Sequence, residues 1–203
     1  MTDKTYKTDQ KRHGGYRTLK SYQTTTLIYD LTVEFCKTYL TDKSNLSYRT
    51  IDQMIQAARS GRQNIAEGSE ASAVSKKSEI KLVGVARASL EELLIDYEDF
   101  LRQRSLLLWD KDNPSARKIR ALCYRSDTTY QQAVSELTSS AYKTYQSYLA
   151  DPEEAANVLI CLIHQANYLL DKQLQALKEA FIKEGGFTEN LFRARLEKRR
   201  SDL

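Results

Sequence analysis

The acidic residues between Glu91 and Asp99 are the first candidates for chemistry, because clustered carboxylates bind metal ions in some helical bundles. Those bundles add Glu-x-x-His pairs from two helices, and no such spacing occurs in this chain. A glycine-rich phosphate loop is absent as well. His164 falls beside an apolar stripe and is interpreted as a hydrogen-bonded residue at the core edge. The sequence therefore predicts no catalytic residue, no metal site and no cofactor.

Basic residues offer a second kind of chemistry, the binding of anions. Lys76 and Lys77 fall in the first turn of a predicted helix, where unpaired backbone N–H groups attract phosphate. Arg59 and Arg62 lie one helical turn apart and are expected near the same end of the fold. The alternative is that these cations are ordinary solvated charges. The candidate nucleic-acid-binding residues are Arg59, Arg62, Lys76, Lys77, Arg199 and Arg200.

Charge is distributed unevenly along the chain. There are 31 Lys and Arg residues against 27 Asp and Glu residues, which gives a net charge of +4. Residues 1–17 and 187–203 both carry a surplus of cations, whereas the middle is close to neutral. Basic ends are attracted to RNA, DNA or another anionic surface. The alternative is that charged ends simply keep a helical protein in solution.

Tyrosine is abundant, with 13 residues. Tyr142, Tyr145 and Tyr148 recur every three residues beside Lys143 and would share one helix face. Aromatic rings interleaved with cations stack on unpaired bases. More often such rings pack on a bundle and leave the hydroxyl group in water, and this second interpretation is favoured.

The elements that must position all these residues are helices. The chain has only 2 prolines and 7 glycines, and its apolar residues recur at helical spacing, as at Ile28, Leu31 and Phe35. We predict an all-α fold: an up-and-down antiparallel four-helix bundle with extra helices inserted before the last long helix and a basic C-terminal tail. The predicted parts are a mobile basic arm at 1–15, a bundle at 16–186 with long helices at about 16–41, 46–67, 76–108 and 151–183, a helical insert at 110–150, and a basic tail at 187–203.

Signals at the helix ends support these bounds. Ser75 is placed to cap the third helix, and Asp151 followed by Pro152 starts the last long one. Gly68 is expected just after the second helix, in the left-handed conformation that glycine adopts without steric penalty. The third helix should bury a stripe made of Val83, Ala86, Leu90, Leu93, Tyr97 and Leu101.

Compartment and membrane association follow from what the sequence lacks. No apolar run approaches the ~18 residues of a membrane span, and the start of the chain has no apolar segment typical of a signal peptide. Cys36, Cys123 and Cys161 are odd in number and far apart, which favours reduced thiols. These features predict a cytoplasmic protein that does not associate with membranes.

Two segments of the predicted second and third helices carry a family resemblance. In order and spacing they resemble the 23S ribosomal-RNA intervening-sequence protein family, which consists of small bacterial four-helix-bundle proteins. The whole chain resembles the longer subgroup called four helix bundle suffix proteins, in which an extended C-terminal part follows the bundle. The matching residues are Gln53, Ala57, Ala58 and Ser60, the run Asn64, Ile65, Ala66, Glu67 and Gly68, and then Ala86, Ser89, Leu90, Glu92 and Leu93.

The resemblance implies an up-and-down bundle that assembles into a ring-shaped homo-oligomer, commonly a pentamer. It also implies kinship with the accessory protein of diversity-generating retroelements, which binds nucleic acid and a reverse transcriptase. No enzymatic activity is attached to the family. Typical members carry two arginines where this chain has Ile55 and Gln56, and a proline near Gly61–Arg62. The basic strip of the family is therefore not carried over.

The polar motif residues have two interpretations. As structural residues, Asn64 and Glu67 would bond to backbone groups at a helix end, and Gln53 would bridge two helices. As functional residues, they would form a polar site repeated around a ring. The structural interpretation is favoured for the whole set, which comprises Gln53, Ser60, Asn64, Glu67, Gly68, Ser89 and Glu92.

Together these features predict a non-enzymatic, oligomeric helical-bundle scaffold that binds RNA or DNA through basic patches. The alternative is a protein–protein interaction module with no nucleic-acid role. In that case the tail would dock a protein partner or a neighbouring subunit through Phe187, Leu191, Phe192 and Leu196.

Overall fold

A computed structural model describes residues 15–40, 45–124 and 145–201, and every regular element in these ranges is helical. The predicted all-α class is confirmed for this part of the chain. The predicted arm at 1–15 and the insert residues 125–144 lie outside it, apart from Gly15. The helices are α1 (Lys20–Tyr39), α2 (Asn45–Ala71), α3 (Lys76–Gln103), α4 (Pro114–Tyr124), α5 (Pro152–Glu184) and α6 (Phe187–Ser201), with short 3-10 turns at Gly15–Thr18 and Ser147–Ala150.

Four long helices enclose one hydrophobic core. α2 and α5 each pack against both α1 and α3. The stripe predicted for α3 is buried in full, and Ile28, Leu31 and Phe35 of α1 are completely covered. The ring of Phe35 meets those of Tyr97 and Phe100 edge to face, with centroids 5.0 Å and 4.8 Å apart. The 3.6-residue period of the sequence thus identifies the core faces of these two helices correctly.

A buried polar chain crosses this core between α3 and α1. The Tyr97 hydroxyl donates a hydrogen bond of 2.9 Å to Thr32 Oγ1. Thr32 in turn donates to the carbonyl oxygen of Ile28, 2.7 Å away. Because Tyr97 and Thr32 are both fully buried, their hydroxyl groups depend on these two hydrogen bonds within the protein.

The predicted end of the second helix at Gly68 is wrong, because α2 continues to Ala71. A methyl group placed on Gly68 would lie 3.4 Å from the carbonyl oxygen of Glu79. One placed on Gly61 would lie only 2.8 Å from Leu90 Cδ2. Gly61 therefore allows α2 and α3 to approach closely, whereas a Cβ atom at Gly68 would meet α3 at an ordinary contact distance, and neither glycine ends a helix. The tight turn comes after Ala71, and Ser75 caps α3 as predicted by accepting a hydrogen bond from Ser78 N.

The third helix also ends elsewhere than predicted, at Gln103 and not at 108. Ser105 adopts a left-handed conformation with φ of 55°, and the backbone N–H of Leu106 donates to the carbonyl of Leu101 over 2.9 Å. This is the Schellman pattern of a helix end. Apolar residues at 106–108 extend the helical pattern in the sequence, but they leave the helix to run beside the start of α5.

The side chain of Asn157 on α5 binds the backbone of the segment that follows α3. Its side-chain oxygen accepts from Trp109 N at 2.7 Å, and its Nδ2 donates to the carbonyl of Leu107 at 2.8 Å. Glu153 accepts from Leu107 N at 2.9 Å. Two polar side chains on α5 thus replace the backbone partners that a longer α3 would have supplied.

The insert and the last long helix begin largely as predicted. Pro114 opens α4, which buries Ala116 and Ile119 as it packs on α5. Asp151 caps α5 by accepting from Glu154 N at 2.9 Å, with Pro152 in the first turn. The helix ends at Glu184, and Gly185 follows with φ of 74°. None of the described helices combines the length and apolarity needed to cross a membrane.

Candidate functional site

The six predicted nucleic-acid-binding cations do not form one patch. The guanidinium of Arg62 lies over the ring of Tyr29, with its central carbon 4.3 Å from the ring centroid. Its Nε is buried without a hydrogen-bond partner in the described part of the chain. Burial raises the pKa of Asp30 from its ordinary value, while the charge of Arg62 lowers it. Arg62 is therefore turned toward α1, whereas Arg59 is exposed.

Lys76 is also engaged within the fold. Its Nζ forms an ion pair of 3.2 Å with Glu184 at the end of α5, while Lys77 is exposed. Because Gly61 packs on Leu90 and Gly68 on Leu82, Arg62 lies level with the middle of α3. At 1.5 Å per residue, that level is about 18 Å from Lys76 along the helix axis. The expectation that the arginine and lysine pairs share one end is wrong.

Arg199 and Arg200 differ from the other four cations, because they lie on a helix that is exposed throughout. None of the residues of α6 is buried, and its last turn contains Lys198, Arg199 and Arg200. Among the described residues, no ion pair joins these three cations to the bundle. The predicted tail is thus an exposed helix that follows α5, at the end where Lys76 meets Glu184.

Four of the seven motif residues, Gln53, Ser60, Ser89 and Glu92, line a groove between α2 and α3 that we call the α2/α3 groove. Ser60 Oγ and Ser89 Oγ lie 2.9 Å apart across it, and Asn64 Nδ2 donates to Ser60 Oγ at 3.0 Å. Gln53 is exposed in the groove, and among the described residues no hydrogen bond joins it to another helix, contrary to the structural interpretation. The groove has a volume of about 610 Å³ and is lined by Arg49, Asp52, Gln53, Gln56, Ala57, Ser60, Ser89, Glu92 and Asp96.

The remaining motif residues do not line the groove. Asn64 also donates to the carbonyl of Ser60 at 2.9 Å, within the same helix. Its backbone contact is therefore inside α2 and not at a helix end. Glu67 is exposed, and Gly68 is buried against α3.

The α2/α3 groove is acidic. Asp52, Glu92 and Asp96 face a single cation, Arg49, among its lining residues. Burial raises the pKa of Asp96 above its ordinary value, and the nearby carboxylates of Asp99 and Glu92 raise it further. A site with this charge repels phosphate and favours a cationic ligand or surface.

Sequence reasoning singled out part of this groove but missed Arg49, Asp52 and Asp96 as its members. A signal was present, because Asp52, Gln56 and Ser60 recur every four residues and place one polar strip along α2. The other acids of the α3 cluster are engaged elsewhere. Glu91 pairs with Arg87 at 3.4 Å, and Asp99 pairs with Arg102 at 2.8 Å.

The exposed apolar residues of α6 form the second candidate surface. They are Phe187, Leu191, Phe192 and Leu196, each between 44% and 61% exposed. Large apolar side chains grouped on one short helix are typical of an interaction site, since scattered ones are the norm on a protein surface. These are the residues that the alternative prediction assigned to docking.

A smaller cavity of about 150 Å³ lies beneath the segment that Asn157 holds, and it is lined in part by Trp109, Cys161 and His164. His164 is exposed there and is not a core-edge residue. Across the described ranges, no three His, Cys, Asp or Glu side chains come together in a way that would hold a metal ion. Cys36 is buried, which raises the pKa of its thiol to about 12 and makes it a poor nucleophile.

Comparisons of the chain with models of known protein families, with curated proteins and with solved structures find no match.

Proposed function

We propose that the four long helices form an up-and-down antiparallel bundle. Contacts along α3 and α5 support opposite directions: Lys76 at the start of α3 pairs with the end of α5, and Arg87 donates to Asp171 over 2.6 Å. α1 and α5 are related in the same way, since Ser21 near the start of α1 donates to Gln173 in the second half of α5. Such a bundle is a rigid platform for presenting a surface.

The function that this geometry supports best is that of a non-enzymatic scaffold that works by association, with α6 as its contacting element. The observation that carries the proposal is the exposure of Phe187, Leu191, Phe192 and Leu196 on a helix without buried residues. An isolated helix of 15 residues is only marginally stable in water. Docking against a protein surface would stabilise it and cover its apolar side chains.

Self-association into a homo-oligomer is the form of association proposed first, consistent with the family resemblance. The test is light scattering on the full chain, whose mass as a single copy is 23.4 kDa. We expect the wild type to be heavier than one copy and a variant with Leu191→Ser and Phe192→Ser to be monomeric. Ile182→Ser is the matched control, because Ile182 is 84% exposed on α5. A wild type that stays monomeric would remove self-association.

Nucleic-acid binding is the second candidate, and one observation favours it. The five cations of α6 are all exposed, and they are Arg193, Arg195, Lys198, Arg199 and Arg200. The test is fluorescence anisotropy with a labelled single-stranded oligonucleotide across a salt series. Arg199→Glu with Arg200→Glu should lower affinity and flatten the salt dependence, because fewer counterions are released. Equal binding by variant and wild type would contradict a role for this helix.

A further inference from the structure

α6 combines apolar and cationic side chains on one side of the helix. At helical spacing, Leu191, Arg195 and Lys198 form one strip, and Phe192, Leu196 and Arg199 form the next. Glu197 falls on the other side of the helix, whereas Glu189 shares the strip of Phe192 and Leu196. Glu189 is also engaged locally, since its carboxylate accepts from Gly186 N at 3.1 Å. The side of α6 that is available for docking is therefore apolar and positively charged.

The α2/α3 groove has the complementary character. Asp52, Glu92 and Asp96 make it acidic. Along α3, Glu92 shares a strip with Val85 and Ile95, which are 40% and 53% exposed. The groove thus offers carboxylates for cations, and the exposed side chains of Val85 and Ile95 on α3 offer apolar surface outside its lining for Leu191 and its neighbours.

α6 is too short to bring its cations to the acids of the groove in its own copy. The end of α5 is level with Lys76, as their ion pair shows, and Glu92 and Asp96 lie about 24 Å and about 30 Å farther along α3 at 1.5 Å per residue. α6 has 15 residues, which span only about 22 Å. The contacts of α5 with α1 and α3 also place α2 across the core from it. The length of α6 and the position of α2 do not prevent binding to the groove of a second copy.

We propose that α6 of one copy binds in the α2/α3 groove of a second copy, with Arg195, Lys198 and Arg199 facing Asp52, Glu92 and Asp96. This inference rests on the proposed self-association and names its two surfaces. The contact is heterologous, because different surfaces of the two copies meet. In a pair, one copy therefore keeps an unused groove and the other an unused α6, so further copies add until a ring closes or an open filament forms.

Charge reversal tests the pairing. The groove variant has Glu92→Lys and Asp96→Lys, and the helix variant has Arg195→Glu and Arg199→Glu. Each alone places like charges together, which should weaken association by roughly 100-fold or more. Mixing the two variants should restore association, because each α6 then meets a groove of opposite charge. The control variant carries Glu67→Lys and Glu70→Lys, two exposed acids at the other end of α2, and should associate like the wild type.

The outcomes separate this inference from the proposed function. If the wild type associates while the groove variant does so equally well, α6 docks elsewhere and the inference is overturned, although the scaffold proposal stands. If the mixture of variants stays monomeric, the pairing is likewise rejected. A wild type that is monomeric at every concentration removes self-association itself. Circular dichroism checks that each variant is folded.

Cross-linking of the unmodified chain gives an independent measurement. A zero-length carbodiimide reagent joins an amine to a carboxylate only where the two are in contact. In a mixture of isotopically light and heavy copies, we expect Lys198 to be linked to Asp52, Glu92 or Asp96 of a different copy. Links from Lys198 only to other carboxylates would overturn the inference. Because the experiment uses the unmodified chain, a folding defect of a variant could not explain that result.

Discussion

At the scale of single residues, the hydrogen bonds of Tyr97 and Thr32 make the sharpest test of the core. Thr32→Val removes the acceptor of a fully buried hydroxyl and should lower the free energy of unfolding by about 1–3 kcal/mol. Adding Tyr97→Phe to Thr32→Val should recover part of this loss, since the orphaned hydroxyl is then gone. Urea denaturation of the two single variants and the double variant measures this coupling.

Additive effects in that cycle would contradict the buried chain of hydrogen bonds. Tyr97→Phe alone serves as the reference, because Thr32 still donates to Ile28 in that variant. Its expected cost is only about 1 kcal/mol, the net value of a typical hydrogen bond.

The residue scale also shows how far the sequence predicts this molecule. Periodicity identified Tyr97 as a core residue, because apolar spacing is a local property of one helix. It did not pair Tyr97 with Thr32 or Arg62 with Tyr29, since such pairs depend on the register between two helices. For the same reason, the sequence showed the acids of the α2/α3 groove that lie on α3 as one cluster, but it did not indicate that Asp52 of α2 lies beside them.

At the scale of elements, the end of α3 leads to a second prediction. Ser105 has a left-handed backbone that disfavours any residue with a Cβ atom, so Ser105→Gly should stabilise the protein by about 0.5–1 kcal/mol. The readout is the urea midpoint at unchanged slope. Ser69→Gly inside α2 is the control and should destabilise by about 0.5 kcal/mol. Destabilisation by Ser105→Gly would reject the assigned helix end.

The ends of the helices were harder to predict from the sequence than the helices themselves. Caps that depend on neighbouring residues, such as Ser75 and Asp151, were predicted correctly because their chemistry is local. The end of α3 depends on Asn157, which is far away in the chain and competes for the backbone of Leu107. Gly68 was misleading for a related reason: it lies inside α2, buried against α3, and the helix ends only at Ala71.

At the scale of the whole molecule, hydrogen exchange should distinguish α6 from the bundle. In dilute monomeric protein, amides at 187–201 should exchange with little protection, because no residue of α6 is buried. Amides at 86–101 should be strongly protected at every concentration. On association, α6 and the α2/α3 groove should gain protection together. Strong protection of α6 in the dilute monomer would show that its own bundle holds it.

Gly185 gives the exposed helix α6 a further significance. Its φ of 74° lies where glycine has no steric penalty, and with Gly186 it sets the angle at which α6 leaves α5. With α6 as the arm that reaches the next copy, this angle fixes the rotation and rise between neighbours. A rotation that divides a full turn evenly, with no rise, closes a ring, and any other gives an open filament. On the proposed docking of α6, a methyl group added at Gly185 would change this angle, and with it the number of copies, without touching the docking surfaces.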